Sequence, residues 1–170
     1  RHSQTRTLPP PLEQDVSGEE PRIGVFVCHC GTNIAGVVDV EEVAAYAARL
    51  PQVVHVPRNL FTCSQDTQDR IVQEIQDKRL NRIVVAACTP RTHEPLFRKT
   101  LKSAGINEYL IEMANIRNQN AWVHNQEPEV ATAKAKDLVR MAVVKVSTQT
   151  ARKPLRIPIA PSVLIIGGGV

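Results

Sequence analysis

Four short apolar runs, each followed by a stretch of helical periodicity, constrain this chain more than any other feature. Ile23, Val25, Phe26 and Val27 form the first run, which stops at Cys28-His29-Cys30-Gly31. This reads as a buried strand ending in a turn. Asp39 with Glu42 three residues on predicts a capped helix from about Val40 to Leu50, with Val43, Ala44, Ala47 and Leu50 on one face. Val53, Val54 and Val56 make the second strand, and Ser64 can cap a helix in which Ile71, Val72 and Ile75 are apolar. The third strand, Ile83 to Ala87, runs into Cys88, and Thr92 opens a helix closed by Gly105, with Pro95 placed in its first turn. Tyr109-Leu110-Ile111 is the fourth strand. A helix from about Pro128 to Val146 follows, with Val130, Ala135, Leu138, Val139, Ala142 and Val146 as its buried stripe.

A strand–helix unit repeated four times predicts an α/β fold: a small, doubly wound, mainly four-stranded parallel sheet with helices on both faces. Right-handed crossovers place the helices, and strands apolar on both sides must be covered on both sides. Aromatic residues make up only 4% of the 170 residues, so the core has to be assembled from Val, Ile, Leu and Ala.

Residues 1–20, with Pro9, Pro10 and Pro11 and few large apolar side chains, read as a flexible tail. Residues 21–148 make the α/β domain. Residues 149–161, with Pro154, Pro158 and Pro161, read as a linker, and 162–170 as the first strand of a further domain running into a glycine turn. The 21 basic and 17 acidic residues are spread along the chain without interleaved aromatics, which argues against nucleic acid as a partner. No apolar stretch suits a secretory signal or a membrane span, so the expectation is a soluble, cytoplasmic protein.

Four cysteines are too few for a disulfide-built scaffold, and a domain of this size needs no staples. Cys28 and Cys30 follow the first strand, Cys63 lies in the loop after the second, and Cys88 ends the third. In a doubly wound sheet the first strand lies between the second and third, so these loops meet at the switch point on the carboxyl edge. Four thiolates there suit a soft metal centre, either an iron–sulfur cluster or tetrahedral zinc. Structural zinc commonly takes two close cysteine pairs, whereas here one Cys-x-Cys pair accompanies two distant single cysteines, which favours the cluster. The spacing matches neither common ferredoxin pattern. Free cysteine is also among the most buried residue types, so each of the four could instead be a small core residue.

His29 and His93 flank the same edge as candidate ligands or hydrogen-bond donors. Arg58, Arg91 and Arg117 lie in loops leaving it, where a cation could offset a cluster's charge. The Gly31-to-Gly36 loop lacks the Gly-Lys-Ser/Thr of a P-loop, and Cys88-Thr89-Pro90-Arg91 would suit a nucleophilic cysteine only by leaving the other three unexplained.

Val25-Phe26-Val27-Cys28-His29-Cys30-Gly31, Phe61-Thr62-Cys63-Ser64, Ala86-Ala87-Cys88-Thr89-Pro90-Arg91 and Ala114-Asn115-Ile116-Arg117 together resemble the amino-terminal domain of the heterodisulfide reductase A subunit family. The likeness covers about residues 22 to 170. It implies a 4Fe-4S cluster on Cys28, Cys30, Cys63 and Cys88, and beyond them an FAD-carrying domain. Gly167 and Gly169 match the first two glycines of the flavin fingerprint, the third falling past the last residue, so this stretch alone is not expected to hold FAD. The resemblance further implies an oxidoreductase subunit, with no catalytic residue of its own here, that works beside other redox subunits in a complex, electron bifurcation being known among members. A zinc-stabilised docking module and a thiol–disulfide redox enzyme are the alternatives.

Overall fold

The computed structural model describes residues 10–155, 157, 158, 161–164 and 167. Five strands form one parallel sheet: β1 (Ile23–Cys28), β2 (Val53–His55), β3 (Arg58–Asn59), β4 (Arg82–Ala87) and β5 (Ile111–Asn115). The order is β2-β1-β4-β5, with β3 also on β1. Val53 and His55 pair with the start of β1 and Arg58 and Asn59 with its end, so β2 and β3 are two halves of one edge strand. Pro57 interrupts that strand because it has no N–H for the ladder, although its carbonyl still accepts from Val27 N–H at 3.0 Å. The sequence-based order is therefore met, with β1 between β2/β3 and β4.

Helices cover both faces: α2 (Val40–Ala47) and α5 (Pro128–Ser147) pack together on one, α3 (Gln65–Asp77) and α4 (Pro90–Ser103) on the other. The short α1 (Thr32–Ala35) follows β1. All six residues of β1 and of β4 are buried, which is the pattern a central parallel strand requires. Asp39 caps α2 as expected, its carboxylate accepting from Glu42 N–H at 2.9 Å. None of the helices among the described residues is long and apolar enough to cross a membrane.

Several expectations are corrected. Helix α4 begins at Pro90 with Thr89 as its cap, so Pro95 lies inside the helix and not in its first turn. Pro90 is the better first residue, since its ring presets the helical φ and the N–H it lacks has no partner there. The last strand is Ile111–Asn115 rather than 109–111, because the polar Glu112 and Asn115 disguise its carboxyl half. Val130 is 46% exposed, and Ala131, Thr132 and Val143 take its place on the buried face of α5. Gly105 does close α4, at φ +80°, a conformation other residues rarely adopt.

Residues 13–20 are docked rather than loose. Val16 is 4% exposed, Gln14 N–H donates to Gly105 O at 2.8 Å, and Asn107 Nδ2 donates to Glu13 Oε1 at 2.9 Å. The start of the expected linker is held too, Arg82 Nη2 donating to Gln149 O at 3.0 Å and Asn107 Nδ2 to Arg152 O at 2.9 Å. Ser162, Val163 and Leu164 carry neither helix nor strand, and the remainder of the expected strand, Ile165 and Ile166, lies outside the described residues.

Candidate metal centre at the carboxyl edge

Cys28 ends β1, with Asn59 of β3 as its register partner, while Val27 pairs with both Arg58 and Ala86 of β4. It therefore sits at the switch point and is 4% exposed. The chain then turns sharply. Cys30 has φ +50° and Gly31 φ +56° with ψ −124°, a pair of left-handed residues of which the second is open mainly to glycine. A non-glycine residue at positive φ costs on the order of 1–3 kcal/mol and is tolerated chiefly where function needs the geometry. The turn is held by Ile34 and Ala35 N–H groups, which donate to His29 O at 3.3 and 3.1 Å.

Cys63 immediately precedes Ser64, the cap of α3, and is exposed. Cys88 immediately precedes Thr89, the cap of α4, and is 6% exposed. The loops bearing Cys28 and Cys63 touch directly, Thr62 N–H donating to Cys28 Sγ at 3.4 Å. Beneath that contact, Gln68 of α3 donates from Nε2 to Thr62 O and accepts at Oε1 from the Thr100 hydroxyl of α4. A fourth loop joins from the end of β5, where a π-helical turn, Arg117–Ala121, presents Arg117 Nη1 to Cys30 Sγ at 3.4 Å.

The four thiols lie within electrostatic reach of one another. Burial pushes the Cys88 thiol above its ordinary range; Arg117 pulls it back down, and charge on Cys28, Cys30 and Cys63 adds to the rise. Cys63 is also raised, by burial first and then by charge on Cys28. Desolvation is the largest cause of the rise at both positions. Among the described residues no three His, Cys, Asp or Glu side chains close on a point a single metal ion could occupy. The thiols thus share a neighbourhood without a preformed cage.

Two buried polar groups on the neighbouring loop have no partner among the described residues: Asn59 Nδ2 and Thr62 Oγ1, on residues 5% and 0% exposed. A four-thiol donor set beside unpaired buried donors fits an inorganic group that brings its own acceptor atoms, as sulfide does. Asn59 and Thr62 escape sequence reading because an edge strand and a polar loop carry no periodic signal.

The other expected residues separate. His29 and His93 are half-buried, and neither imidazole makes a hydrogen bond among the described residues. Arg58 turns to Glu41 on α2, and Arg91 is exposed at the start of α4. Of the two glycines expected to open a flavin turn, Gly167 is exposed with φ +107° and Gly169 lies outside the described residues.

No family model matches the chain. Curated relatives do. It is 53% identical over 152 residues to the A subunit of the H(2):CoB-CoM heterodisulfide,ferredoxin reductase of Methanothermobacter thermautotrophicus, covering 89% of this chain and 23% of that protein. It is 53% identical over 152 residues to a protein of Archaeoglobus profundus named as similar to the heterodisulfide reductase A subunit, covering 89% and 22%. The same identity and length hold for the second iron-sulfur A subunit of the CoB--CoM heterodisulfide reductase of Methanopyrus kandleri, covering 89% and 23%. The chain spans under a quarter of the length of these three relatives. With about half of its residues identical across nine-tenths of its length, it belongs to the heterodisulfide reductase A subunit family and corresponds to one segment of those longer proteins.

Proposed function

We propose that this chain is the cluster-holding, electron-transfer segment of a heterodisulfide-reductase-type oxidoreductase subunit. Cys28, Cys30, Cys63 and Cys88 are the ligands of a 4Fe-4S cluster. Such a group supplies one-electron transfer at a potential set by hydrogen bonds, charge and solvent exposure around its sulfurs. The relay runs to or from FAD held further along the polypeptide, in a soluble cytoplasmic complex with other redox subunits. Gly167 and Gly169 would open the flavin turn. The segment itself carries no substrate chemistry.

What supports this reading is that the three loops carrying the four cysteines leave the carboxyl edge of the sheet side by side, with Thr62 N–H on the Cys28 sulfur, and that charge on neighbouring cysteines helps to raise the Cys63 and Cys88 thiols. The protein's own residues do the holding. Thr62 N–H fixes the Cys28 sulfur, the Gln68–Thr100 pair fixes Thr62, and the turn at Cys30-Gly31 aims the second thiol. The iron–sulfur name of the Methanopyrus relative agrees with this donor set. Anaerobic purification tests it: a brown chain with about four iron and four sulfide is expected, whereas a colourless zinc protein would point to a docking module.

A further inference from the structure

We infer that Arg117, pinned by Trp122 and Asn118, is the positioning residue whose fixed positive charge raises the reduction potential of the cysteine-bound centre. The inference rests on the cysteines being cluster ligands. Three arginines leave the carboxyl edge, but Arg58 faces Glu41 and Arg91 makes no side-chain hydrogen bond among the described residues. Arg117 alone among them donates to a cysteine sulfur, Cys30 Sγ at 3.4 Å. No carboxylate among the described residues pairs with it, so its charge is not cancelled.

The geometry follows from the π-helical turn. Trp122 N–H donates to Arg117 O at 3.0 Å, a bond spanning five residues, and this register stacks the indole against its own turn's first side chain. The guanidinium carbon lies 4.8 Å from the Trp122 ring centroid. That contact gives a reason for an indole that is 50% exposed on a polar loop. On the other side Arg117 Nε donates to Asn118 Oδ1 at 3.2 Å. The same oxygen accepts from Thr89 N–H at 3.2 Å, and Thr89 follows Cys88. One guanidinium therefore ties the Cys30 loop to the Cys88 loop. Reduction adds one electron to the centre, with no bond made or broken in the protein, and a fixed cation favours the added charge.

The test is a potentiometric titration of the full chain, reconstituted anaerobically with iron and sulfide and reduced with dithionite through mediator dyes. Arg117→Gln is expected to make reduction about tenfold less favourable, or about 59 mV lower for one electron. Arg117→Lys should fall between the two. Trp122→Leu should shift the potential in the same direction by less, and should add nothing in the Arg117→Gln background, because the indole acts only through the guanidinium. Arg91→Gln should leave the potential in place. An unchanged potential in Arg117→Gln with full iron and sulfide content overturns the inference, as does an equal Trp122→Leu shift in both backgrounds. Should Arg117→Gln fail to load, Trp122→Leu carries the test, and an unshifted potential there counts against the inference. An unsubstituted chain that takes up no iron and sulfide overturns the cluster reading itself, a result distinguishable from the others.

Discussion

At the amino edge of the sheet, Asn81 is 2% exposed and its side chain is fully bonded. Its Oδ1 accepts from Arg22 N–H at 2.7 Å, and its Nδ2 donates to Glu19 Oε2 at 3.2 Å and Glu20 O at 3.0 Å. At the carboxyl edge Asn59 and Thr62 are also buried, yet Asn59 Nδ2 and Thr62 Oγ1 have no partner among the described residues. Asn107 repeats the amino-edge pattern, joining Glu13, Tyr109 and Arg152. The pattern there is not perfect, since Arg82 Nε and Gln149 Oε1 lack partners among the described residues, while the terminal nitrogens of Arg82 donate to Asn81 O and Gln149 O. The contrast teaches that the buried amides of Asn81 and Asn107 are met by the protein's own chain, whereas Asn59 Nδ2 and Thr62 Oγ1 lie beside the cysteine loops, where the proposed cluster would bring acceptors. Backbone strain does not separate the edges, since Gln52 and Arg79 before β2 and β4 have positive φ as Cys30 does after β1.

The amino edge should give the largest stability effect. Asn81→Ala leaves the Arg22 amide and the Glu20 carbonyl unpaired and loosens the 13–20 segment, at a cost of about 2–3 kcal/mol. Calorimetry should show a Tm several degrees lower, with iron uptake unchanged. Lost iron uptake at an unchanged Tm would break the division between the edges.

Asn59→Leu and Thr62→Val should behave in the opposite sense. Each removes a polar atom that has no protein partner, so the metal-free chain should change by less than about 1 kcal/mol. The chain loaded with iron and sulfide should then lose iron to a chelator several-fold faster. Loss of stability in the metal-free chain without faster iron release would show these groups to be ordinary core polar residues.

The smallest expected effect is a pH dependence. Burial keeps the Cys88 and Cys63 thiols protonated beyond the pH at which the unfolded chain ionises them. Their contribution to stability is present below the unfolded thiol pKa and is lost as pH rises through the folded one. The Tm of the metal-free chain should therefore fall as pH rises past the ordinary thiol pKa of about 8.5, and Cys88→Ala should flatten that slope. A Tm that rises over this range would contradict the thiol assignment.

Much of the fold was legible because β1 and β4 are apolar on both faces, a pattern only a covered central strand produces. The strand order followed from that, and it located the switch point. What stayed hidden was set by tertiary context. Val16 looked like one apolar residue in a polar tail, but the partners that hold its segment, Asn81 and Asn107, lie far along the chain. Ile111–Asn115 lost its polar half to the expectation of an apolar run. The cysteines stood out by chemical type, whereas Arg117 gained its distinction over Arg58 and Arg91 only from a π-helical turn that no local pattern announces.

Iron K-edge X-ray absorption of the anaerobically reconstituted chain tests the central claim most directly, because it reads the atoms around the metal. The account predicts iron bonded to sulfur with a neighbouring iron shell at cluster distance, and loss of that shell in each of Cys28→Ala, Cys30→Ala, Cys63→Ala and Cys88→Ala. Isolated iron without an iron neighbour, or a signal that survives these substitutions, would contradict it.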